Sequence, residues 1–317
     1  MRIRPLFCFL LLAALCLPAC RPRVPQAATG PREFLYPDIP AFYTDPEERL
    51  DYLTEHFWDR FLSGSGPCDT AAVLGVPYTE VEQQTSNYID LLERLPLAQA
   101  QEKVRRFFRQ VEERHAADTA LHVYLLMEEI VTRYLYDPNS PMRNEDLYLP
   151  FVEGLAKSPY TREAARPGYE YQRAMCALAP AGSVAPDFRF KDISGRTRRL
   201  HEVRADLTLL FFSNPGCHAC REIIGTLEGV PGIGAMIADG RLAVVSVYID
   251  EDFDLWRAHA ADYPRDWLCG YDPDGTIRSD RLYNIRAIPA LYLLDGDKRI
   301  LLKDAPVGRV VSRLTDQ

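Results

Sequence analysis

The chain has 317 residues, 47% of them hydrophobic and 26% charged, a composition that can bury a sizeable core. That length predicts about two domains. A formal charge of −8 at pH 7 argues against a nucleic-acid-binding surface, and no block of like charges reads as a polyanion-binding arm.

The first twenty residues form a separate object. Arg2 and Arg4 give a basic start, Leu6 to Leu17 is an apolar run, and Pro18-Ala19-Cys20 follows. This is the layout of an export signal. The apolar run falls short of the ~20 residues that span a bilayer. Leu17-Pro18-Ala19-Cys20 resembles a bacterial lipobox, which implies lipidation at Cys20; Pro18 is its departure from that pattern. A plain cleaved signal and a retained membrane helix are the alternatives. Acyl chains on Cys20 would hold the protein to a membrane surface. Arg21 and Arg23 offer no acidic surface-export signal, which favours a periplasm-facing location. Residues 21–33, rich in Pro, Ala and Gly, read as a tether.

Residues 34–179 carry helical periodicity. Thr44-Asp45-Pro46-Glu47-Glu48 supplies a cap, a first-turn proline and acids at the positive helix end. Leu50, Leu53, Phe57 and Phe61 then share one face, up to a break at Ser63-Gly64-Ser65-Gly66-Pro67. Further helices are expected over Thr79–Leu95, Leu97–His115 and Asp118–Leu135. Two more are expected from about Asn144 and Thr161, after the break at Asp137-Pro138-Asn139-Ser140-Pro141. The predicted domain is all-α, with no strict repeat period. Trp58, Phe107 and Phe108 read as its core.

From residue 180 the pattern changes. Phe188-Arg189-Phe190 alternates ahead of a turn at Asp192–Gly195, and Leu207–Phe212 is a short apolar run expected of a buried strand. A helix follows at or after Cys217. Ala243–Ile249 reads as a second buried strand, and Asp252–Ala261 as a helix. Asp272-Pro273-Asp274-Gly275 is a turn, and Ala290–Leu294 with Arg299–Leu302 form a hairpin across Asp295-Gly296-Asp297. Residues 180–317 are therefore expected to form an α/β domain, a central mixed sheet flanked by helices, C-terminal to the helical one.

Eight cysteines are present, and Cys8, Cys16 and Cys20 fall in the export signal. The remaining Cys68, Cys176, Cys217, Cys220 and Cys269 are too sparse and odd in number for a disulfide-stapled scaffold. The chemistry concentrates in Cys217-His218-Ala219-Cys220, which follows a buried strand and opens a helix. The N–H groups and positive dipole of a helix N-terminus favour a thiolate at Cys217, and Cys220 in the first turn can resolve a mixed disulfide. His218 is either a second thiolate stabiliser or a neutral surface residue. The alternatives for the pair are a static disulfide or half of a metal site. A structural zinc site wants four ligands and no second pair exists, so no metal is expected. Cys269 reads as a small buried hydrophobe. Cys68 and Cys176 are left either paired or free.

Ile288-Pro289, just ahead of Ala290–Leu294, is similar to a feature of the thioredoxin superfamily. There a cis-proline packs against the cysteine pair and offers backbone groups to the substrate. The domain resembles the TlpA/ResA-like branch and its AhpC/TSA relatives in Ala185-Pro186-Asp187-Phe188, Asp192-x-x-Gly195 and Leu200. The helical part resembles the domain of unknown function that precedes thioredoxin-like domains in Bacteroidetes lipoproteins. Ile39-Pro40, the run Tyr134 to Glu145 and Arg166-Pro167 carry that likeness. This chain departs from thioredoxins at Gly216, where they have Trp, and at Phe211, where they have a buried acid. It departs from the TlpA/ResA type at Ile223, where that type has Glu. Glu222, Asp250 and Glu251 are the remaining candidates for the Cys220 proton.

The resemblance implies a thiol–disulfide oxidoreductase acting on protein thiols and disulfides together with a redox partner protein. It would work through Cys217, Cys220 and Pro289, with His218, Ile288 and Gly216 around the groove and no cofactor beyond the Cys217–Cys220 disulfide. The other readings are a binding or assembly lipoprotein with an inert bridge and, last, a peroxidase. The direction of exchange and the oligomeric state are not legible.

Overall fold

The computed structural model describes residues 30–315; the export signal, Cys20 and most of the predicted tether lie outside them. The helical part begins with α1 (Pro46–His56) and α2 (Asp59–Leu62). Asp45 caps α1 by accepting from the N–H groups of Glu47 and Glu48. The single face expected from Leu50 to Phe61 is thus split between two helices, with Phe57 and Trp58 buried at the bend.

The helical part also carries a small hairpin that the periodicity does not predict, β1 (Ala72–Val73) and β2 (Val76–Pro77), whose antiparallel register pairs Val73 with Val76. Its two-residue turn puts both Leu74 (φ 51°) and Gly75 (φ 80°) in the left-handed region. Two-residue hairpin turns of this kind favour Asn-Gly, and a leucine gives no such signal. Burial of the Leu74 side chain in the core holds it there.

Helices α3 (Tyr78–Leu92), α4 (Leu97–Ala117), α5 (Val123–Leu135) and α6 (Glu145–Lys157) follow close to expectation. A short 3₁₀ turn at Thr119–Leu121 takes up the start of the helix expected over Asp118–Leu135. Asn144 caps α6. Pro150 inside α6 has no N–H for the Asp146 carbonyl, and Gln101 Nε2 donates to that oxygen instead, at 2.9 Å. The last helix, α7 (Arg166–Cys176), starts later than expected, at the Arg166-Pro167 step that suits a first turn.

The sheet part runs β3 (Arg189–Asp192), β4 (Thr197–Arg199), β5 (Leu207–Phe212), α8 (His218–Gly229), α9 (Ile233–Ala238), β6 (Leu242–Tyr248) and α10 (Phe253–His259). It continues with β7 (Leu268–Tyr271), α11 (Thr276–Ser279), β8 (Ala290–Asp295), β9 (Ile300–Leu302) and α12 (Val307–Thr315). The seven strands lie in the order β4-β3-β7-β6-β5-β8-β9. β5 is parallel to β6 and antiparallel to β8, and β6 is parallel to β7, so the sheet is mixed. All of β5 is buried. Leu207, Leu209 and Phe211 pack toward Ile223 and Leu227 of α8 and Val310 of α12, while Leu210 and Phe212 pack toward Phe188, Tyr283 and Tyr292. An unbroken apolar run is what a strand covered on both faces requires.

A buried ion cluster joins the two parts. Glu145 of α6 accepts from Asn284 Nδ2 (2.6 Å) and Arg286 Nε (2.8 Å), and lies 3.1 Å from Lys303 Nζ. Lys303 also donates to the Cys176 and Leu178 carbonyls, and Arg286 Nη2 to Asp304, all at 2.6–2.8 Å. The Arg286 guanidinium stacks 4.3 Å over the Tyr136 ring. Burial pushes the Glu145 carboxyl up to about 7, with Lys303 opposing and Asp304 adding. The folded protein thus holds this proton above its unfolded value of 4.5. The group's contribution to stability is full below about pH 4.5 and is lost as pH rises through about 7. Glu145→Ala is expected to cost about 3–5 kcal/mol by taking the buried acceptor away from Asn284, Arg286 and Lys303, read by urea unfolding. In Glu145→Gln the slope of stability between those two pH values should flatten, read from thermal midpoints across that window.

Candidate active site

Strand β5 ends at Phe212, whose register partner on β8 is Ala290. The segment that leaves β5 toward Cys217 and the residue that precedes β8, Pro289, therefore lie at the same end of the sheet. Asn214-Pro215-Gly216 turns the chain there, with Gly216 at φ 72°. A β-carbon at Gly216 would meet nothing, so the constraint is backbone conformation, for which glycine suits and the Trp of thioredoxins does not.

Cys217 is the N-cap of α8. Its Sγ accepts from the Cys220 N–H at 3.1 Å. A disulfide links the two cysteines, with Cα atoms 5.2 Å apart. Cys217 is half-buried, whereas Cys220 is 2% exposed and packs among Ile223, Leu227 and Phe211. A sulfur that caps a helix receives the dipole field and a backbone N–H, both of which favour its anionic form. Ile288 is half-buried and packs on the same core as Cys217 and Cys220, and the Ile288–Pro289 peptide is cis. His218 is 79% exposed, with Nδ1 3.4 Å from Glu222 Oε1 one turn along α8.

A cleft of about 30 Å³ opens beside the disulfide, lined by Asn214, Gly216, Cys217, Cys220, Arg221, Ile224, His259, Asp262 and Tyr263. Beneath it, Ser213 Oγ lies 2.7 Å from Ser246 Oγ and 2.9 Å from the Tyr263 hydroxyl, a closed and buried hydroxyl group of three. Burial raises the Tyr263 phenol above its ordinary value. None of the three carboxylates expected for the Cys220 proton lines the cleft. Glu222 sits with His218 on the surface, and Glu251 is exposed. Asp250 is taken by Asn214 Nδ2 (2.7 Å) and Arg278 (2.6 Å).

His259, Asp262, Tyr263 and Ser213 escaped the sequence reading. One signal existed: Ser246 interrupts the apolar strand Leu-Ala-Val-Val-Ser-Val-Tyr, and a buried hydroxyl needs a partner. Cys269, Cys176 and Cys68 are free thiols, the first two buried. Burial pushes Cys269 up to about 12 and raises Cys176 further. Among the described residues no cluster of three or more His, Cys, Asp or Glu is placed to hold a metal, and no helix is long and apolar enough to cross a membrane.

Residues 20–177 match the family described as a domain of unknown function, DUF5106. The thioredoxin-like protein YneN of Bacillus subtilis is 30% identical over 139 residues, 43% of this chain and 76% of that protein. A crystal structure of a thioredoxin-like protein from Bacteroides caccae is 36% identical. It covers 90% of this chain and 99% of its own, with a TM-score of 0.73.

After reduction, iodoacetamide should label Cys217 first. Cys220, Cys269 and Cys176 should react only when the protein is denatured, because burial disfavours their thiolates. Peptide mapping by mass spectrometry reads the order; native labelling of Cys269 as fast as Cys217 would contradict the assignment.

Proposed function

This chain belongs to the thioredoxin-like protein family, and from that premise we propose that it is a thiol–disulfide oxidoreductase acting on protein substrates through Cys217 and Cys220. The observation that carries the reading is Cys217 Sγ at the cap of α8, accepting the Cys220 N–H. In the reducing direction, the Cys217 thiolate attacks a substrate disulfide, forming a mixed disulfide and releasing one substrate thiolate. Cys220, as thiolate, then attacks Cys217 Sγ. The Cys217–Cys220 bond forms, the second substrate thiolate leaves, and the substrate is reduced by two electrons as the protein is oxidised. The oxidising direction runs the same steps backwards. A dithiol or disulfide partner protein resets the pair, and no further cofactor is needed.

Ile288 and Pro289 form the edge against which the substrate backbone lies. Their position at the active end of β8 supports this. Gly216 keeps the turn before Cys217 free of a side chain, and His218 adds positive charge near the thiolate when protonated. The lipobox resemblance supports lipidation of Cys20 and a protein held at a bacterial membrane, facing the periplasm.

Titration against glutathione or dithiothreitol, read by mass-tagging of thiols, tests the chemistry. A potential near about −270 mV would assign a reductase and one near about −120 mV an oxidase. Cys217→Ser should abolish exchange with protein disulfides. A pair that never exchanges reversibly would instead be an inert bridge in a binding lipoprotein. Cys20→Ser is expected to move the protein from the membrane fraction to the soluble one, checked by fractionation and by incorporation of labelled palmitate.

A further inference from the structure

The oxidoreductase chemistry needs a group to take the Cys220 proton, and the places where relatives carry an acid hold Phe211 and Ile223 here. A thiol buried in apolar surroundings keeps its proton and is a poor nucleophile. Cys220 is 2% exposed among such residues, so resolution of a mixed disulfide depends on a base that reaches it.

We propose that His259, oriented by Asp262, is that base, acting across the small cleft that both residues share with Cys217 and Cys220. The inference rests on the oxidoreductase reading and deepens it. His259 closes α10, between two buried anchors, Trp256 and Ala260. Its Nδ1 lies 2.9 Å from Asp262 Oδ2. A carboxylate on Nδ1 fixes the neutral tautomer with the proton on Nδ1 and leaves Nε2 as an acceptor. His–Asp pairs at helix ends are common on protein surfaces; the distinction of this one is its place beside the disulfide. The cleft, about 30 Å³ and lined by both His259 and Cys220, has room for one water, and general-base chemistry can run through a single bridging water. Asn214 Oδ1, buried and without a hydrogen-bond partner, belongs to a residue of the same wall and offers a second acceptor there.

The Cys220 Sγ–H proton passes to His259 Nε2, directly or through the water. The Cys220 thiolate attacks Cys217 Sγ. The Cys217–Cys220 bond forms as the bond from Cys217 to the substrate sulfur breaks, and the substrate leaves as a thiolate. The imidazolium, held by Asp262, returns the proton to that thiolate or to solvent.

Stopped-flow reaction of the reduced, full-length protein with one equivalent of dithiobis(nitrobenzoate) separates the two sulfurs. The first chromophore is released when Cys217 attacks, and the second when Cys220 expels it from Cys217. In His259→Gln the first phase should keep its wild-type rate and the second should slow about tenfold or more. Asp262→Asn should slow the second phase less. Imidazole in the buffer should restore it in His259→Ala, which a merely structural role for His259 would not allow. An unchanged second phase in His259→Gln, or a slowed one that imidazole does not rescue, overturns the proposal while leaving the oxidoreductase reading intact. Absence of both phases in the wild-type protein overturns the two together.

Discussion

The buried carboxyl of Glu145 ties the helical part to the sheet part. It sits fully buried at the start of α6 and faces Arg286 and Lys303 from the sheet part. Charges in a dry interior cost several kcal/mol each when unpaired, and the packing of the helical part on the sheet part brings Glu145 to Arg286 and Lys303, and Asp304 to Arg286. Lys303 extends the tie to the carbonyls at the end of α7, and Arg143 donates to the Asp304 and Ala305 carbonyls. Arg286 precedes Ile288-Pro289 by only a few residues. The same interaction that docks the helices therefore holds the loop that delivers Pro289 to the active end of the sheet.

At that end, a second constraint sets the chemistry. Strand β5 is buried on both faces and must leave the sheet through a tight turn before α8 begins. Gly216 allows the turn, and Cys217 meets the helix at its cap, where the N–H of Cys220 reaches its sulfur. The two sulfurs then differ in surroundings despite their closeness. Cys217 is half in solvent and in the field of the helix, whereas Cys220 is buried among Phe211, Ile223 and Leu227. That asymmetry suits one sulfur to attack and the other to wait for a base. Three polar residues of the same cleft, His259, Asp262 and Tyr263, come from beyond β6, in the segment that ends α10 and leads to Tyr263.

Much of this was legible in the chain. The apolar run Leu207–Phe212, the cysteine pair after it, the hairpin around Gly296, the cap ahead of Pro46 and the helix start near Asn144 are encoded in neighbouring residues. Periodicity, cap chemistry and turn propensity act over a few positions, so they can be read without knowing the fold. The hairpin at Leu74-Gly75 was not legible, because a leucine takes a left-handed conformation there for the sake of burial and not for local preference. The bend at Phe57-Trp58 hid for a similar reason: the apolar spacing continues through it while the backbone does not.

The sequence alone determined the strand–Cys217–Cys220–helix order, the proline ahead of the last hairpin and the helical character of the first half, since each is a local pattern. Only the tertiary structure decided which groups stand beside those cysteines and what fastens the two parts together. Glu145 and Arg286 lie 141 residues apart in the chain, and Ser213 and Tyr263 lie 50 apart. Such pairs form because packed elements bring them within hydrogen-bond distance, and no local propensity carries that information.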